Sequence, residues 1–99
     1  MTENVKRGFY AHASTDQITK ELEAKGYRPQ LISEPNDSSI DEHSHERSHI
    51  IVLLKGELNL TLGDRSFAMQ AGDLITIPPG QKHAAQSGEN GCDYIWVEV

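Results

Sequence analysis

Cysteine is nearly absent from this chain: Cys92 is the single one, so no intrachain disulfide can form, and a reducing cytoplasm is the expected setting. Long apolar runs are missing as well, which excludes a signal peptide and a membrane span from the expectations. Basic residues are scarce, 9 Lys and Arg against 15 Asp and Glu, for a net charge of −6 and no basic run. That balance argues against nucleic acid or an anionic membrane as a partner and otherwise serves solubility. Only 36% of the 99 residues are hydrophobic, enough for one compact domain with little core to spare, so self-association would supply useful burial. No Ser/His/Asp arrangement, glycine-rich phosphate loop or pair of catalytic carboxylates stands out, nor any repeat, low-complexity stretch or linker.

What is present begins with a helix signal. Ser14-Thr15-Asp16-Gln17 reads as a capping box opening a helix over 15–25, with Ile18 and Leu22 on one face and Gly26 as the stop. Beyond Tyr27 the pattern changes to short strands, predicted over 27–33, 40–45, 50–54, 57–62, 65–70, 74–77, 83–85 and 94–99. Lys55-Gly56, Gly63-Asp64 and Gly72-Asp73 are read as turns between them. Leu58, Leu60 and Leu62 alternate with Glu57, Asn59 and Thr61, the period of a strand with one buried face. Many short strands at even spacing predict an all-β sandwich or small barrel. Residues 1–26 form an N-terminal segment with the helix, and 27–99 the barrel, in one domain.

Four of the five histidines fall in two segments, His43-Ser44-His45-Glu46-Arg47-Ser48-His49 and the stretch from Gly72 to His83. On a strand, His43 and His45 point to one face about 6.6 Å apart, close enough to converge on one ion. His49 shares their parity but would lie roughly 13 Å beyond His45 on a straight strand. The chain must therefore turn back at Glu46-Arg47-Ser48. Pro78 ends a strand and Pro79-Gly80 suits the centre of a type II turn, from which His83 starts a returning strand. On parity Ile51 and Leu53 share the face of His49, and Ala85 that of His83, giving an ion an apolar surround. Imidazole donors suit zinc, copper, iron and nickel. His12 is expected at the surface, Glu42 and Glu46 in solvent, and Cys92 as an inert small residue. Tyr94 and Trp96 are expected as core or dimer contacts rather than substrate platforms.

These two segments resemble the motifs of the cupin family, G-x5-H-x-H-x3,4-E-x6-G and G-x5-P-x-G-x2-H-x3-N. The first matches from His43 to Gly56 with His49 at the glutamate position, and the second from Gly72 to His83 throughout. Asp37 stands where the opening glycine would fall and Ser87 where the closing asparagine would. The resemblance, to small single-domain cupins, implies a double-stranded β-helix or jelly roll, a homodimer, and His43, His45, His49 and His83 as ligands of one divalent metal per chain. Manganese joins iron, nickel, copper and zinc as an ion that cupins hold.

Four neutral ligands would leave the ion its full formal charge of two, which favours anionic ligands and hydroxide. Two expectations follow. One is a dioxygenase-like oxidoreductase acting on an enolate, diketone or catechol-like substrate that chelates the ion, or, by resemblance alone, a sugar or keto-acid isomerase. The other is a non-catalytic module that binds a metal or a small ligand.

Overall fold

The alternation at residues 58–62 belongs to a strand far longer than that pattern suggests. The computed structural model describes residues 4–99. Its elements are β1 (Asn4–Lys6), α1 (Thr15–Ala24), β2 (Gln30–Glu34), β3 (Ser39–His43), β4 (His49–Leu62), β5 (Arg65–Met69), β6 (Leu74–Ile77) and β7 (His83–Glu98). All pairings are antiparallel, and β4 lies against β7 from His49 opposite Glu98 to Leu62 opposite His83. The first half of β4 also pairs with β6, and its second half with β5. Likewise β7 pairs with β3 at its start and β2 at its end. Two long strands thus run through both layers, giving β1-β6-β4-β7-β2 on one side and β5-β4-β7-β3 on the other. This is the all-β architecture that the strand pattern predicts and the jelly roll that the resemblance implies.

The corner between the layers falls where the sequence suggested a turn. Lys55-Gly56 does not reverse the chain; the β4–β7 register slips between Leu53 and Lys55 and again between Gly56 and Leu58. Gly56 has φ +82°, and a Cβ there would run into the carbonyl oxygen of Gly91 on the facing strand. Glycine thus permits a bulge that bends the strand without ending it. For the same reason 83–85 and 94–99 are the two ends of one strand. Its middle carries Gln86, Glu89 and Asn90 to solvent, which hid it from a hydrophobicity pattern. β3 stops at His43, two residues short of the expectation, after a register shift between Ile40 and His43.

Helix α1 begins as predicted. Ser14 Oγ accepts from the Gln17 amide at 3.1 Å, and Gln17 Oε1 accepts from the Ser14 amide at 2.8 Å. Ile18 and Leu22 are buried with Tyr10, Val52, Leu74, Ile95 and Val97. Ile51, Leu53, Leu58, Leu60, Ile75 and Ile77, by contrast, belong to the core inside the barrel. The helix therefore covers the outer face of the five-stranded layer, which explains the uninterrupted run Ile50-Ile51-Val52-Leu53-Leu54: both faces of that half of β4 are covered. Full burial of Ile18 and Leu22 contributes about 1.5–3 kcal/mol each.

The lead into the helix is fastened by a buried carboxylate. Asp73, 4% exposed, accepts from the Gly8 amide at 2.7 Å, the Gln70 amide at 2.9 Å and Arg7 Nη1 at 2.8 Å. Burial alone would raise its pKa, but these donors outweigh it and hold the carboxyl below its ordinary 3.8. Stability from this group is full above the unfolded value and is lost as pH falls through the lower folded one. Asp73→Ala should lower the free energy of unfolding by about 2–4 kcal/mol in urea titrations, since it strands buried donors. The wild type should lose stability below pH 3.8 more steeply than this variant does.

Candidate metal centre

His43 ends β3 and His83 opens β7, and the two are direct cross-strand partners with ring centroids 4.3 Å apart. His45 follows in the loop rather than on the strand, and its carbonyl accepts from the Gly80 amide at 2.8 Å. That bond ties the loop to the Pro79-Gly80 turn, where Gly80 has the positive φ, +76°, that a type II turn requires. The turn and the histidine loop therefore fix each other. His45 comes within 4.8 Å of His43 and 5.4 Å of His83 between centroids.

Among the described residues, His43, His45 and His83 form a group whose ligand atoms all lie within 4.8 Å of one another. Donors sharing an ion at about 2.1 Å stand roughly 3–4 Å apart, so the group needs only a small contraction to hold one. Two of the rings are already oriented for it. His43 Nδ1 donates to the Asp41 carbonyl at 2.7 Å and His83 Nδ1 to the Gln81 carbonyl at 2.9 Å. A carbonyl can only accept, so the proton sits on Nδ1 and Nε2 keeps its lone pair for an ion. Burial, with the neighbouring His43 and His45, pushes the pKa of His83 down, which keeps it neutral and able to ligate.

His49 stands apart from that group. It opens β4, is 1% exposed, stacks on Trp96 at 4.6 Å and lies 4.2 Å from His45 between centroids. Among the described residues its Nε2 has no hydrogen-bond partner, and Glu98 Oε2 is 3.9 Å away. Burial chiefly, and then His45, lowers its pKa. The structure thus gathers three of the four expected ligands and leaves the fourth buried beside them with an unsatisfied nitrogen.

His43, His45 and His83 face a cavity of about 220 Å³, otherwise walled by Ile32, Ile40, Ile51, Leu58, Leu60, Ala85, Tyr94 and Trp96. Ile51 and Ala85 lie where parity placed them. Tyr94 belongs to the core inside the barrel and Trp96 packs against it, as expected, and both also line this cavity. The alternation of the last strand, with Ile95 and Val97 in the outer core, carries the only signal that could have found them. Tyr94 Oη donates to Glu34 Oε2 at 3.3 Å; burial, reinforced by that carboxylate, raises its pKa and keeps the phenol protonated. Asp37 has φ +53°, so it adopts the left-handed conformation that the family's glycine would take freely. Ser87 ties the loop before β3 to β7, its Oγ accepting from the Ser38 amide at 2.8 Å and donating to the Pro35 carbonyl. His12, Glu42 and Glu46 are exposed and Cys92 is buried, as expected.

Comparison with known proteins follows this geometry. The family described as Cupin_2, cupin domain, matches residues 31–98, and the chain belongs to that family. No curated protein matches it in sequence. A cupin-2 domain containing protein from Shewanella frigidimarina is 22% identical with a TM-score of 0.65, covering 73% of this chain and 69% of its own. KdgF from a Halomonas species is 18% identical with a TM-score of 0.66, covering 73% and 68%. A DUF861 family protein from Thermotoga maritima is 15% identical with a TM-score of 0.65, covering 99% and 100%. At these identities the likeness extends to the fold.

Replacing His43, His45 or His83 by Ala should weaken divalent-metal binding by about a hundredfold or more in calorimetric titration, since loss of a ligand costs at least what loss of its outer partner does. A histidine held neutral in the fold stabilises it above the unfolded pKa and less as protonation sets in below. The metal-free protein should therefore melt at lower temperature as pH falls below 6.5, and His83→Gln should flatten that dependence.

Proposed function

We propose that the protein is a metal-dependent oxidoreductase of the dioxygenase kind, acting on a small substrate that chelates a divalent ion held by His43, His45 and His83, with His49 as fourth ligand. One observation carries the reading: three imidazole donors converge on the wall of an otherwise largely apolar cavity of small-molecule size. The orphaned Nε2 of His49 supports its inclusion, because a buried polar atom without a partner is costly and a metal bond would satisfy it.

A bound divalent ion would supply Lewis acidity and, if redox-active, a path for electrons from an enolate, diketone or catechol-like substrate to dioxygen. The chain's own contributions are legible in the fold. The carbonyls of Asp41 and Gln81 hold two rings in the ligating tautomer. Ile32, Ile51, Leu58 and Leu60 exclude water from the substrate. Tyr94, its phenol proton given to Glu34, places on the cavity wall an oxygen that can accept from a substrate hydroxyl. An all-imidazole donor set adds no negative charge, which favours an anionic, chelating substrate. The same reading includes a cytoplasmic homodimer. Leu31, 65% exposed on β2 at the end of the strand order, is the surface such a dimer would cover.

Purified protein should contain near-stoichiometric iron, copper, nickel, manganese or zinc by plasma mass spectrometry. With a redox-active ion it should consume dioxygen with β-diketones or catechols, and His45→Ala should lose both metal and turnover. Conversion of the substrate at an undiminished rate without oxygen would replace this reading by Lewis-acid isomerisation. Metal and ligand binding with no turnover would leave a binding module. Light scattering should give twice the chain mass, and Leu31→Glu should halve it.

A further inference from the structure

Behind Trp96 lies a second cavity, of about 430 Å³, that shares this indole as a wall with the histidine cavity. Tyr27, Arg28, Arg47 and Glu98 contribute to its lining. Arg7 is committed to Asp73, whereas neither Arg28 nor Arg47 meets an Asp or Glu side chain among the described residues. Arg47 uses only Nε, donating to the Val99 carbonyl oxygen at 3.1 Å, and Arg28 makes no hydrogen bond at all among the described residues. Both are exposed and line one concavity with Trp96, so the Arg28 guanidinium and the Arg47 Nη atoms are open to an anion there.

We propose that this cavity binds the carboxylate of a small organic monoanion, whose body lies along Trp96 toward the histidine cavity. Guanidinium forks match a carboxylate by paired hydrogen bonds. Arg28 and Arg47 against Glu98 leave one positive charge in the lining, which suits one carboxylate better than a doubly charged phosphate. Trp96 offers a flat apolar surface, with its ring stacked on His49 and 6.3 Å from His45 between centroids. The direction of the ligand toward the histidines rests on the metal-centre reading; capture of the carboxylate does not.

Trp96 is the chain's one tryptophan, so its fluorescence reports on this wall directly. The full chain, stripped of metal, is titrated with benzoate, with benzamide as its neutral analogue, and with inorganic phosphate. Benzoate should change the emission saturably in the wild type and in His43→Ala alike, with benzamide and phosphate at least about tenfold weaker. Arg28→Gln and Arg47→Gln should each weaken benzoate about tenfold or more, with melting temperatures unchanged. Arg28→Gln decides if Arg47→Gln disturbs the Val99 contact. Equal response to benzamide, tighter binding of phosphate, or indifference to Arg28→Gln would overturn the proposal. Benzoate binding that requires added metal, vanishes in His43→Ala and ignores both arginines would also overturn it while leaving the metal centre standing. Benzoate binding intact in a protein that takes up no metal would uphold the carboxylate site and remove the metal reading alone.

Discussion

Everything in this molecule hangs on the antiparallel contact of β4 with β7. These strands belong to both layers, so the corner at Gly56 sets the angle between the sheets and, with it, the space inside. At one end of their contact stand His49 and Glu98, at the other Leu62 and His83. The cavity between draws Ile51, Leu58 and Leu60 from β4 and His83, Ala85, Tyr94 and Trp96 from β7. A slip of one residue would send each of these side chains to the opposite face. The register fixed by two bulges is therefore also the specification of the pocket.

Much of this was legible in the residues, and what was not shares a physical cause. The capping box of Ser14 and Gln17 reports on itself, because its bonds span three residues. Leu58, Leu60 and Leu62 reveal their buried face by period, and spacing and the Pro79-Gly80 turn pick out four histidines, of which the structure gathers His43, His45 and His83 and sets His49 beside them. Lys55-Gly56 misled because a glycine with positive φ serves a hairpin turn and a bulge equally well, and only the partner strand distinguishes them. The pairing of β1 with β6 gave no signal over three residues. Arg28 and Arg47, nineteen positions apart by their numbers, share a cavity only after the barrel has closed.

The departures from the family pattern separate in the same way. Asp37 and Ser87 keep the geometry by other means, one by accepting a left-handed backbone and the other by two hydrogen bonds from a single hydroxyl. His49 does not compensate in this manner. It is buried, and burial lowers its pKa, so a neutral imidazole stands where the family motif has a carboxylate and the change falls on charge.

The three gathered histidines are not mounted alike. His43 and His83 are held by strand pairing and by carbonyls two residues before each, whereas His45 rides on a loop secured to the neighbouring turn through its own backbone carbonyl. That loop is not loose, for the Ser48 carbonyl accepts from the Val99 amide at 2.9 Å just past the end of β7. All three imidazoles are thus anchored through the backbone around them, and the choice of any ion they hold falls to ligand chemistry and to which ion the surroundings supply.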